Sequence, residues 1–140
     1  MPLVLEIISP EKLLLSREVD MVVVPGTEGD IGVLPGHSKL ITGLRGGLVD
    51  IYVNNTITDR FFVSGGFAEI TESYCAVLAD GIVRQSELDP AKAAAGVVEA
   101  QAAYDAVDMT NAEAYREVSD RLISAQAMVD SITPSRGDKA

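Results

Sequence analysis

The 140-residue chain changes grammar once, at "QSELDPAKAAAGVVEAQAAYDAV", and that break constrains its fold more than any other feature. Upstream, "LVLEII", "KLLLS", "VDMVVVP", "GLVDIYV", "ITDRFFVSG", "FAEIT" and "CAVLAD" are short, β-branched or alternating, and separated by turn residues. Such runs predict strands, and many of them with regular turn signals predict a sandwich or barrel. Asn54 and Asn55 stand between two runs and predict a tight hairpin, because asparagine tolerates positive φ. Downstream, Asp89 and Pro90 read as an N-cap and a first-turn proline. Ala93, Val97, Ala100, Tyr104 and Val107 then recur at helical spacing, and Tyr115, Val118, Leu122, Ala125 and Val129 repeat the stripe. Thr110 and Glu113 carry capping-box spacing for the second start. The short break between the stripes predicts antiparallel neighbours, and the alanines of the first helix predict a close approach.

The expected fold class is therefore β + α. An N-terminal antiparallel β-sandwich spans 1–86, a C-terminal two-helix antiparallel hairpin spans 87–134, and 135–140 form a disordered tail. Two helices alone bury little area, so the hairpin must lean on the β domain or on another protein, and such a hairpin can move.

A formal net charge of −10 repels phosphate backbones and anionic headgroups, which argues against nucleic-acid binding and against direct lipid insertion. The single cysteine, Cys75, rules out an internal disulfide and a cysteine-based zinc site. Its place in "YCAVLAD" predicts a small core residue in a reducing compartment. The N-terminus has no basic n-region or cleavage site, and no apolar run approaches the roughly 20 residues that span a bilayer. A soluble, cytoplasmic chain is expected.

"PGTEGDIGVLPGHS", Pro25 to Ser38, invites a phosphate-loop or a catalytic reading. A phosphate cradle needs Gly-Lys-Ser/Thr before a helix, whereas Gly36 is followed by His37 and Ser38 between strands. A general base needs a nucleophile and an orienting acid in reach, and adjacent residues on an extended chain point opposite ways. The stretch is expected to make a shape: Gly26, Gly29, Gly32, Pro35 and Gly36 set tight turns at one end of the sandwich, and His37 braces the backbone. No catalytic residue and no metal site are expected, and Glu69 and Glu72 belong on a solvated face. From the residues alone, the chain reads as a non-catalytic subunit of a larger assembly. A stand-alone ligand-binding sandwich with a helical lid is the alternative.

The run "VPGTEGDIGVLPGHSKLITGLRGGLV" resembles the epsilon subunit family of the F-type ATP synthase, whose mitochondrial counterpart is called delta. Gly26, Gly29, Asp30, Gly32, Val33, Pro35, Gly36, His37, Leu40, Leu44, Gly47 and Val49 match that family's pattern. "FVSGGFAEI", then "VLAD", then "LDPAKA" follow in the family's order. The resemblance implies a rotor subunit of the central stalk that joins the gamma subunit to the membrane c-ring. It would be non-catalytic and peripheral, on the cytoplasmic face of the bacterial inner membrane, in a complex coupling ATP synthesis to proton transport. It places Asp30, flanked by Glu28 and Ile31, at the c-ring contact, and directs Ser64, Gly65, Gly66 and Phe67 toward gamma or the ring. The hairpin is implied to be a regulatory arm that folds on the sandwich or extends along gamma to the alpha/beta catalytic hexamer and blocks hydrolysis. Some bacterial members bind ATP through I/L-D-x-x-R-A. Leu88, Asp89 and Ala93 match it, but Lys92 replaces the arginine with a point charge in place of a fork, and Pro90 removes a donor. A weak ATP site is the most these residues imply, with no other cofactor. Arg116 and Arg121 lie among Glu113, Glu117, Asp120 and Asp130, so an acidic arm facing an acidic target predicts weak or absent inhibition.

Overall fold

In the first strand, β1 (Leu3–Ile8), the odd positions are apolar and the even ones mixed, and the pleat sends them to opposite faces. Leu3, Leu5 and Ile7 are fully buried, each contributing about 1.5–3 kcal/mol relative to exposure. The structure, a computed structural model, describes residues 2–133, so the expected tail at 135–140 lies outside the described residues. The strands are β2 (Leu13–Val19), β3 (Met21–Gly26), β4 (Gly29–Val33), β5 (Leu40–Leu44), β6 (Gly47–Val53), β7 (Thr56–Val63), β8 (Gly65–Ile70), β9 (Tyr74–Asp80) and β10 (Val83–Arg84). A single 3-10 turn, Gln85–Glu87, leads to α1 (Pro90–Ala106) and α2 (Ala112–Ile132).

The strands hydrogen-bond in the order β10-β7-β6-β3-β5-β8-β9-β1-β2, with β4 added to β3. Only Gly26 and Leu44 pair between β3 and β5, and the sheet folds over itself at that junction. Leu5, Ile7, Cys75 and Val77 of one layer share a core with Val22, Val24, Val49, Ile51 and Val63 of the other. Across the mouth of the sandwich, Arg17 of β2 ion-pairs with Asp59 of β7 and donates to Thr58 Oγ1 at 3.2 Å. Arg84 Nη1 completes the clasp 3.0 Å from Asp59. Burial alone would raise the Asp59 carboxyl, but Arg17 and then Arg84 outweigh it and hold it below the ordinary carboxylate value.

Three expectations need correction. First, the sandwich is not wholly antiparallel: β1 and β9 pair in parallel, a relation that alternation within each strand does not encode. Second, Pro25–Ser38 is not all loop. Val22↔Val33 and Val24↔Ile31 pair in register, so "GDIGV" is a strand whose Ile31 and Val33 face inward while glycines mask its propensity. Third, Asn111 caps α2 by accepting from the Ala114 N–H at 3.1 Å, and the Thr110–Glu113 box does not form. Asp108 has taken Thr110 instead: its Oδ1 accepts the Thr110 hydroxyl at 2.6 Å and the N–H at 2.9 Å, which lowers its pKa. Asn54 and Asn55 do take positive φ, 54° and 63°, in the β6–β7 turn.

Ala93 and Ala100 are buried on α1 and let α2 approach. Near the turn the Tyr104 and Tyr115 hydroxyls are 3.1 Å apart. The second helix of the hairpin docks on the outer face of β6 and on the Gln85–Glu87 turn. Leu48 of β6 and its partner Phe62 of β7 point away from the sandwich core yet are buried. Ser124 Oγ donates to the Ser64 carbonyl at 3.2 Å. Gln85 Nε2 donates to the carbonyls of Ser131 and Ile132, at 3.3 and 2.9 Å, and so caps α2 from the sandwich side.

Candidate functional site

Gly26 and Gly29 pair across a two-residue turn that lifts Thr27 and Glu28 from the end of β3 and β4. Gly26 is required there, because a Cβ would sit 2.7 Å from the Gly29 carbonyl oxygen. Glu28 and Asp30 are exposed. The Arg45 guanidinium donates to Asp30 Oδ1 at 2.7 Å and to the Gly26 carbonyl at 3.0 Å, and the Thr27 N–H donates to the Gly43 carbonyl at 3.0 Å. The acidic tip is therefore clasped onto the corner between β5 and β6. Ile31 does not share this surface: alternation turns it inward against the core.

Beyond β4, the chain turns at Pro35 and Gly36, where Gly36 has φ +87° and its N–H donates to the Glu72 carbonyl at 2.7 Å. His37 Nδ1 lies 2.6 Å from the Ser38 carbonyl oxygen, and the His37 N–H donates to Leu34. Gly32 is exposed in β4.

Of Ser64, Gly65, Gly66 and Phe67, the first three are half-buried and the last is presented to the outside. Ser64 is half-buried beside the hairpin, its carbonyl accepting from Ser124 Oγ. Gly65 and Gly66 have φ +149° and +135°, and a Cβ on Gly66 would lie 2.1 Å from the Leu78 carbonyl oxygen. They let β8 pass close to β9, which swings Phe67 outward at 62% exposure. Phe67 pairs with Leu78 of β9, Leu78 with Ile8 of β1, and Ile8 with Leu13 of β2. An apolar row thus crosses four strands on the sheet face away from the hairpin, with Ile41 of β5 beside it at 72% exposure. Ile8, Leu13, Ile41 and Leu78 escape a sequence reading because each sits in an ordinary alternating strand. Pairing alone reveals that their outward sides align.

The residues matching the ATP motif do not converge. Asp89 caps α1 by accepting from the Ala91 and Lys92 N–H groups, Lys92 is exposed, Ala93 is buried between the helices and Leu88 is half-buried. A cavity of about 420 Å³ between the hairpin and Ser64 is bordered by Glu99, Asp120 and Arg121. Among the described residues, no group of three or more His, Cys, Asp or Glu could hold a metal ion. Among them also, no helix is long and apolar enough to cross a membrane.

A sandwich with a docked helical hairpin and an uncovered apolar sheet face is built to be one part of an assembly. Residues 2–85 match the family described as ATP synthase, Delta/Epsilon chain, beta-sandwich domain. The chain is 48% identical to the ATP synthase epsilon chain of Granulibacter bethesdensis, over 90% of this chain and 93% of that one. It is 43% identical to the epsilon chain of Gluconacetobacter diazotrophicus, over 93% and 92%. Its fold is similar to a chain in the Euglena gracilis mitochondrial ATP synthase OSCP/F1/c-ring structure, with TM-score 0.76, 22% identity, and coverage of 91% of this chain and 79% of that one. A chain in the central stalk/c-ring structure of the Tetrahymena thermophila mitochondrial ATP synthase gives TM-score 0.67 at 11% identity, covering 95% and 98%. The chain belongs to the ATP synthase delta/epsilon chain family. It is an epsilon-type subunit of the F-type ATP synthase central stalk, a coupling part and not a catalytic one.

Proposed function

We propose that the sandwich joins the gamma subunit to the c-ring, with two surfaces for two partners. The outer row of Phe67, Leu78, Ile8 and Leu13, with Ile41, seats gamma. The tip bearing Glu28 and Asp30 meets the polar loops of the ring. The observation that carries this reading is the aligned apolar row, since a protein working alone rarely leaves such a face uncovered. The subunit is then peripheral, held at the cytoplasmic face of the bacterial plasma membrane by its partners.

Solubilised membranes test this directly: the chain should leave them in a stable complex that contains the ATPase. Phe67→Glu should abolish its retention, and recovery of the wild-type chain only as a free monomer refutes the proposal. Asp30→Lys should loosen the ring contact while leaving gamma bound, read as proton pumping lost at unchanged subunit composition.

For the hairpin, the proposed role is a docked arm with little inhibitory force on the alpha/beta hexamer, because acidic residues dominate its second helix. Tight ATP binding is not proposed: Asp89 is occupied as a cap, and Glu99 and Asp120 border the adjacent cavity with repulsive charge. Removing residues 88–140 should change hydrolysis by less than about twofold, and a several-fold rise would sink the idea.

A further inference from the structure

One row below Phe67 and Leu78, the same outer face changes character. Glu6 of β1 and Glu69 of β8 both pair with Ala76 of β9, so two carboxylate side chains flank one small residue. Their backbones stand two strand spacings apart, about 9.5 Å. Ala76 is only 5% exposed because its taller neighbours overhang it. In the next row Val4 pairs with Tyr74. An open groove of about 580 Å³ runs over this ground, floored by Val4, Ile8, Ala76 and Leu78 and edged by Glu6 and Glu69. Among the described residues, the groove's lining holds two glutamates and no basic side chain, and burial first, then Glu69 as charge and hydrogen-bond acceptor, then Glu6, raise the Tyr74 phenol.

We propose that this groove is a docking slot for a basic side chain of the subunit seated on the Phe67 face, a lysine or arginine lying over Ala76 between Glu6 and Glu69. The inference rests on the reading of that face as the gamma seat, and it specifies what gamma presents there. The chemistry follows from the lining. An aliphatic stem fits the apolar floor of Leu78, Ile8 and Val4, and the cationic head then reaches a carboxylate on either side. A neutral apolar segment would bury both carboxylates with no counter-charge, and an anionic headgroup would be repelled by them. Ala76 matters by its size, since any larger side chain would fill the slot between the glutamates.

The test uses the full chain titrated against epsilon-depleted ATPase complex containing gamma, at low and high salt, with three variants. Glu6→Gln/Glu69→Gln keeps the shape and removes the charge. It should weaken binding about tenfold at low salt and flatten the salt dependence of the wild type. Ala76→Met should weaken binding with the glutamates intact, at unchanged melting temperature. Phe67→Glu reports on the face itself and should abolish binding. If Phe67→Glu abolishes binding while the double glutamine variant binds within twofold of wild type with the same salt slope, the slot is refuted and the face stands. If Phe67→Glu binds normally, the seat is elsewhere and both fall. If the isolated chain sediments as a dimer that Phe67→Glu dissolves, a second copy occupies the face and the proposal is overturned.

Discussion

Replacing Arg60 by methionine should cost the sandwich a large share of its stability. Arg60 of β7 and Asp50 of β6 are directly paired across the strands, and Arg60 Nε lies 3.3 Å from Asp50 Oδ1. Their side chains are 13% and 0% exposed, so the Asp50 carboxylate has exchanged water for this partner and its immediate surroundings. Methionine keeps the unbranched stem but withdraws the guanidinium from beside a buried carboxylate. Such a loss costs about 3–5 kcal/mol, against a total of about 5–15 kcal/mol for a domain. Replacing both members, Asp50→Leu with Arg60→Met, removes the charge as well, and the double variant should return to within about 1 kcal/mol of wild type. Arg45→Met supplies the contrast: Arg45 and Asp30 are 41% and 38% exposed, and that pair should be worth at most about 1 kcal/mol. The chain has no tryptophan, so urea unfolding is followed by far-UV circular dichroism at neutral pH. A cost for Arg60→Met no larger than that of Arg45→Met, or a double variant as unstable as the sum of its singles, would refute this role for the pair.

Gly46→Ala should unseat the hairpin and spare the sandwich, because its Cβ would sit 2.9 Å from the Ser124 Cα; hydrogen exchange should quicken across α2 and stay slow in β1, β6 and β9. Asp59 has a folded pKa below its unfolded one, so its contribution is complete above the ordinary carboxylate value and is lost as pH falls through the lower folded value. Asp59→Asn should therefore destabilise the chain at pH 7 and flatten that acid limb in a series of unfolding curves. Cys75 is fully buried and burial pushes its thiol up to about 12, so a thiol reagent at pH 8 should label it only at the rate of global opening, and faster labelling would show a local route to the core.

The architecture was legible because each layer of it has a local signature. Alternation gives β1 its inward Leu3, Leu5 and Ile7, and an N-cap with a first-turn proline gives α1 its start at Pro90. The errors fall where a local signal competes with another. Asp108 captures Thr110 before the capping box can form, and glycines hide a strand in "GDIGV" whose alternate residues nonetheless face the core. The candidate site was half legible: the turn at Glu28 and Asp30 and the glycine pair beneath Phe67 both leave marks in the chain. Arg45, which clasps Asp30 from fifteen residues away, and the Glu6–Ala76–Glu69 row exist only once distant strands come into register. No local pattern encodes register between β1 and β9.

Every fully buried residue of the sandwich core comes from a strand and none from either helix, and this division bears on how the subunit can work. The tip with Asp30 is held by Arg45, and the outer row is held by β1, β2, β8 and β9, so both proposed contacts keep their geometry whether or not the hairpin is docked. The hairpin is held on more modest terms. Three side-chain hydrogen bonds from Ser124 and Gln85 anchor it, each worth about 0.5–1.5 kcal/mol net. Burial of Leu48 on the β6 face that α2 covers adds about 1.5–3 kcal/mol, partly retained if another surface covers it. Ordering the inter-domain seat opposes that sum, so release of the hairpin costs less than unfolding the sandwich. A rotor part built this way can stay gripped between two partners while its arm changes position.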